Sequence, residues 1–185
     1  GMVVAPREAA PAAPRRVIAW AHGTSGVAEK CAPSNNPDFF TANPMVEAMA
    51  RRGYVVAAPD YPGLGSDMIH PALVGVSTGR SVLDAVRAAH DIRGANAGLR
   101  FAVWGESQGG HAALWTGQLA RSYAPELNLV GVAAIVPPTD LARNMMESSD
   151  KRARALLTAY TAVSWSRHYD APMTALGSRS TQTVM

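Results

Sequence analysis

The feature that most constrains this chain lies at residues 101–115, where an apolar run, Phe101 to Trp104, breaks at Gly105 into an alanine-rich helical pattern with Ser107 at the break. It reads as strand, sharp turn, helix. Gly105 and Gly109 flank the serine at i−2 and i+2. A turn this tight demands them, because side chains at either position would collide with neighbouring backbone. Such an elbow lifts Ser107 Oγ above the end of a sheet. The helix that starts there points its free N–H groups and the positive end of its dipole at the same spot, which suits a developing oxyanion. A glycine-flanked serine can also be a plain helix cap, but a buried strand directly before it and a helix directly after it are the context a nucleophile needs.

Three further apolar runs supply the sheet. Val17 to Ala21 ends at His22, Gly23 and Thr24; Tyr54 to Ala58 ends at Pro59 and Asp60; Leu127 to Val136 ends at Pro137 and Pro138. Helical patterns stand between them. Asn43 and Pro44 open one that Gly53 closes, and Ser77 or Thr78 caps another carrying Val82, Ala85, Val86 and Ala89 on one face. Strands joined by helix-bearing crossovers of more than about a dozen residues build right-handed parallel units, so the fold class is α/β. Ligands in such sheets bind beyond the carboxyl ends of the strands, where His22 to Thr24, Asp60, Ser107 and Pro137 to Asp140 all fall.

After Asp140 the alternation gives way to helix alone, from Asp150 to about His168, with Ser148 or Ser149 as its cap. The expected organisation is an extended or disordered lead-in over 1–14, a partial α/β domain over 15–140, a helical segment over 141–170 and a polar tail over 171–185. A chain of 185 residues with 48% hydrophobic content can bury one core. The net charge of +3 comes from scattered arginines without interleaved aromatics, which argues against nucleic acid as a partner. Cys31 is the one cysteine, so no intrachain disulfide forms, and no Cys/His spacing suggests a metal; neither metal nor cofactor is expected. No apolar run reaches the roughly 20 residues of a membrane span, and residues 1–14 hold no signal-peptide core.

Five motifs in order, Ala21-His22-Gly23-Thr24, Cys31-Ala32-Pro33-Ser34, Pro59-Asp60-Tyr61 with Gly63-Leu64-Gly65, Gly105 to Gly110, and Ser122 to Leu127, make the chain resemble the secretory lipase (lipase A-like) family of α/β-hydrolases from about Arg16 to Tyr169. The resemblance implies a mostly parallel sheet of the α/β-hydrolase type, the four strands being its third to sixth, and a helical cap over the site. It also implies secretion and hydrolysis of a small-molecule or lipid ester through an acyl-enzyme. Ser107 matches the nucleophile and Gln108 the residue whose backbone N–H is one oxyanion donor; Thr24 or Asp60 supplies the second. Acid and base in this fold follow the serine on loops after later strands. Only His111 and His168 follow Ser107 here. His111, on the elbow helix, is expected to pack beneath the site. His168 is the base that could swing in from the cap segment, with Asp140 or Asp170 as its orienter. The reading adopted is the N-terminal part of a hydrolase with its C-terminal strands missing, leaving strand 127–136 as a bare edge that pairs with a second copy or with the missing segment. An acyltransferase using the same elbow and an acyl-binding fragment without efficient turnover are the alternatives.

Overall fold

The alternation of side chains along the strands sets the layers. In the computed structural model, which describes residues 1–147 and 149–172, β1 (Met2–Val4), β2 (Arg15–Ala21), β3 (Val55–Ala58), β4 (Ala97–Glu106) and β5 (Asn128–Ile135) form one sheet in the order β1-β3-β2-β4-β5. The helices are α1 (Phe39–Ala42), α2 (Pro44–Arg51), α3 (Gly75–Asp91), α4 (Gln108–Tyr123), α5 (Leu141–Glu147) and α6 (Lys151–His168). Val17, Ala19 and Ala21 of β2, Val55 and Ala57 of β3, and Phe101 and Val103 of β4 face a core shared with Val82, Leu83 and Val86 of α3 and Ala112 and Ala113 of α4. The alternate residues Trp20, Val56 and Ala58 pack with Phe39 of α1 and Val46 of α2 on the opposite face. Period-two patterning has thus built two cores from one set of strands.

β2 to β5 run parallel, as expected of a sheet wound with crossover helices. Within the lead-in, expected to be extended or disordered, residues Met2–Val4 form a strand. Met2, Val3 and Val4 pair antiparallel with Ala58, Ala57 and Val56, because β3 would otherwise present an open edge. At the other side β5 is the edge strand among the described residues, with Val130, Val132, Ile135 and Val136 exposed. Strand 127–136 is expected to stand as a bare edge, and among the described residues no strand pairs with the outer side of β5.

Two helix starts also differ from expectation. α3 starts at Gly75 rather than at Ser77 or Thr78, and Thr78 is buried with its hydroxyl turned back to the carbonyls of Val74 and Gly75. α6 is capped by Asp150, whose Oδ1 accepts from the N–H groups of Arg152 and Ala153. Ser148 and the tail from Gly177 to Met185 lie outside the described residues. α5 adds a helix that sequence periodicity did not single out, and Asp140 caps it by accepting from Arg143 N at 3.0 Å. No helix of the described residues is long and apolar enough to cross a membrane.

Candidate active site

The turn from β4 into α4 is as tight as its glycines require. Ser107 sits at φ 54°, ψ −119°, a conformation L-residues rarely hold, at the join between β4 and α4. A Cβ on Gly105 would run into the carbonyl of Gly109 and stand 2.7 Å from Ala21 O; one on Gly109 would run into Ala21 O; one on Gly110 would stand 2.7 Å from Ile135 O. The elbow therefore nests directly on the ends of β2 and β5, and Ser107 N donates to Ile135 O at 2.9 Å. Ser107 is exposed, and among the described residues its hydroxyl has no hydrogen-bond partner. The first intrahelical bond runs from His111 N to Ser107 O, so the N–H groups of Gln108 to Gly110 have no acceptor within α4.

Ser107, Gln108 and Thr24 line one cleft with Ala72, Leu73, Val136, Pro137 and Leu141. Its far side is Arg154, Leu157, Tyr160 and Thr161 of α6. Trp165 Nε1 donates to Ala72 O at 3.0 Å and fixes how α6 is rotated. Thr161 and Ser164 turn inward as a result while Leu156 stays exposed, the reverse of what an apolar helix would do alone. The cleft wall is mostly aliphatic, with polar groups gathered at the Ser107 end.

The sequence candidates separate. Thr24 stands beside Gln108, its Oγ1 donating to Gln108 Oε1 at 3.1 Å. Asp60 is instead spent on Ser34: Oδ1 accepts from Ser34 N at 3.1 Å and Oδ2 from Ser34 Oγ at 2.5 Å, with the amine of Gly1 also on Oδ2. Burial pushes the Asp60 carboxyl up, and the hydrogen bonds from the Gly1 amine and Ser34 outweigh it and hold it below its ordinary value. Asp140 is exposed on its cap, Asp170 is exposed with φ 51°, and neither lines the cleft. His168 is exposed, stacked edge-on against Tyr169 at 4.7 Å, and lines a separate hollow with Met68, Ile69 and Pro71. His111 packs beneath the elbow, where Nε2 accepts from Trp115 Nε1 at 3.0 Å and Nδ1 is buried without a partner. Ser107, Gln108 and Thr24 thus share one cleft, which the side chains of His168, Asp140 and Asp60 do not line.

Two further histidines are buried behind the site: His22, which the sequence placed at a strand end without a role, and His70, which it did not single out. His70 is fully buried; its Nδ1 lies 2.9 Å from Pro62 O and its Nε2 2.7 Å from Gln108 Nε2. His22 directs Nδ1 to Gly23 O at 2.7 Å and leaves Nε2 buried without a partner. Tyr61 stacks between the two, 4.1 Å from the His22 ring and 5.6 Å from the His70 ring, and its hydroxyl donates to His22 O at 3.0 Å. Burial lowers both histidines, His22 to about 4, against the raising effect of their carbonyl partners. Both are neutral at pH 7. The signal for His22 was the motif at Ala21 to Thr24 and for His70 the loop motif at Asp60 to Gly65, whose packing around His70 only the fold discloses. Among the described residues no group of His, Cys, Asp and Glu is placed to hold a metal ion.

The secretory lipase family model matches residues 41–172, which include the elbow and both α5 and α6. The chain belongs to the secretory lipase family. Lipase A of Moesziomyces aphidis is 32% identical over 136 residues, 68% of this chain and 29% of that protein. A Mycobacterium tuberculosis protein named "Probable inactive lipase MT1628" is 32% identical over 99 residues, 52% of this chain and 21% of that one. The ligand-bound rice cell wall degrading esterase LipA from Xanthomonas oryzae superposes with a TM-score of 0.70 at 27% identity, over 85% of this chain and 44% of that one. These likenesses support ester hydrolysis as the family's general chemistry and the α/β-hydrolase fold for this chain. The chain spans under a third of the length of Lipase A.

Proposed function

We propose that this chain carries the nucleophile and oxyanion site of a serine esterase or lipase, with Ser107 Oγ attacking the ester carbonyl and forming an acyl-enzyme. The observation that carries the reading is the strained, exposed Ser107 at the head of α4, on an elbow whose glycines touch backbone that a side chain would displace. The carbonyl oxygen that gains charge in the attack is received by the backbone N–H groups of Gln108 and Thr24, one such donor being worth about 3 to 4 kcal/mol in the transition state. The aliphatic wall from Val136, Pro137, Leu141 and Leu157 takes the acyl chain. This selects an ester with an apolar acyl group.

The general base and its acid come from outside these 185 residues. His22, His70, His90, His111 and His168 are the only histidines of the sequence, and none lines the Ser107 cleft. This chain by itself therefore acylates slowly and deacylates poorly, as a serine does when it retains an oxyanion hole without a base. Two experiments test the reading. A fluorophosphonate probe labels Ser107 in the native chain and fails to label Ser107→Ala; a label mapped to another residue refutes the assignment. With a chromogenic ester, product release by the isolated chain stops near one equivalent, and sustained turnover would show that a base is present after all.

A further inference from the structure

The hydrogen bonds behind the cleft run in one direction. His70 Nδ1 faces a carbonyl, Pro62 O, so the proton is on Nδ1 and Nε2 is an acceptor. Gln108 Nε2 then donates to His70 Nε2, which leaves Gln108 Oε1 to accept from Thr24 Oγ1. Every group in the series Thr24, Gln108, His70, Pro62 uses its donor or acceptor in the one sense that fits. The series ties together the loop after β2, the first residue of α4 and the loop after β3.

The loop after β3 is shaped to deliver His70. Gly63, at φ 85°, lies so close that a Cβ there would run into His70 N and stand 2.5 Å from His70 Cα. Tyr61 packs flat on the imidazole, and His70 is 0% exposed. Two residues on, Ala72 O receives the Trp165 indole of α6. A histidine held so completely, with its one free nitrogen spent on Gln108, does no proton transfer itself.

Resting on the proposed hydrolase reading, we infer that His70 is a positioning residue of the oxyanion site: its neutral imidazole clamps the Gln108 side chain and, through it, Thr24, so that both oxyanion donors stand fixed at the head of α4 before substrate arrives. An imidazolium at His70 donates from Nε2 and has no lone pair for the Gln108 N–H, so protonation breaks this bond and turns the amide out of the orientation that receives Thr24 Oγ1–H. The titratable groups facing the ring are Tyr61, whose pKa burial raises, and beyond Tyr61 His22, lowered to about 4; both are uncharged at neutral pH. Asp60, next to Tyr61, has its carboxylate on Ser34 and the Gly1 amine rather than on the ring.

The test measures the rate at which a fluorophosphonate probe modifies Ser107 in the wild-type chain, His70→Phe and Thr24→Val from about pH 5 to pH 8, the range in which histidines titrate. Circular dichroism checks folding. Phenylalanine keeps the ring on Tyr61 and removes the acceptor. The expected result is labelling slowed by about 10- to 100-fold in His70→Phe, as for a reactive centre displaced by a fraction of an ångström. The acid-side fall of the wild-type rate is absent in that variant, a readout that lost packing alone would not alter. Folded His70→Phe labelling at the wild-type rate with the wild-type pH profile overturns the inference and leaves the nucleophile assignment standing. Should His70→Phe not fold, exposed Thr24→Val decides: slowed labelling supports the clamp and an unchanged rate overturns it. A wild-type chain that does not label at Ser107 overturns the hydrolase reading, and the inference falls with it.

Discussion

Acidification from about pH 6.5 should weaken this fold through the buried imidazole of His22. His22 is 2% exposed, and burial lowers its pKa from 6.5 to about 4, outweighing the bond to Gly23 O. The native state thus resists a proton that the unfolded chain accepts at about pH 6.5. Stability from this group is fully present above that pH, falls as pH drops toward the folded value, and levels off below it. One and a half units of acidification, from pH 6.5 to 5, at about 1.4 kcal/mol per unit removes about 2 kcal/mol, and the full window to pH 4 about 3 kcal/mol. His70 and His111, also lowered by burial, add in the same direction, so the measurement must isolate His22. His22→Phe does so, since phenylalanine retains a ring against Tyr61 and cannot titrate. Urea midpoints at pH 7, 6 and 5 for both chains give the difference. The wild type should lose about 2 kcal/mol more than His22→Phe by pH 5; equal losses would show that the buried imidazole is not the cause.

Further outcomes follow from the same geometry. Gly109→Ala drives a methyl into Ala21 O, and the helix can only retreat; stability should drop by about 3 kcal/mol in thermal melts, with the Ser107 adduct lost at temperatures where the chain is still folded. Ser107→Gly should abolish labelling yet raise Tm by about 3 °C, because glycine relieves about 1 kcal/mol held in the positive φ; an unchanged or lower Tm would mean the elbow stores no strain. The exposed row Val130, Val132 and Ile135 on the edge strand predicts self-association, which size-exclusion chromatography with light scattering should detect and Val132→Lys should reduce; a strictly monomeric wild type contradicts it. Glu126→Gln, which removes one solvent-exposed partner of Arg87, should leave the thermal midpoint essentially where it is, Asp84 remaining as a second partner.

Much of the fold was legible because local rules govern it. β2, β3, β4 and β5 lie where apolar runs end in turn residues, Gly53 at φ 90° ends α2 as its position suggested, and Ser107 stands at the strand-to-helix break. What misled were features with two readings. Ser77, Thr78, Ser148 and Ser149 are all acceptable caps in isolation, and packing chose to bury Thr78 while Asp150 took the cap of α6. Met2 to Val4 carry no strand pattern long enough to recognise, yet the open side of β3 recruits them.

The site divides along the same line. Sequence alone determined the elbow, because glycine at 105 and 109 with serine between them answers a steric demand that lies within a few residues of chain. It also determined that Ser107 would stand at the carboxyl end of a parallel sheet. Tertiary structure alone decided which residues stand behind it. Thr24 and Asp60 both follow strand ends and were equal candidates; only the fold places Thr24 against Gln108 and turns Asp60 to Ser34. His70 had no motif of its own, and became part of the site because Gly63 and Tyr61 bring a distant loop against Gln108, 38 residues further along the chain. Steric rules act between neighbours and can be read along a chain, whereas a hydrogen bond between separate loops depends on where the whole sheet has carried them.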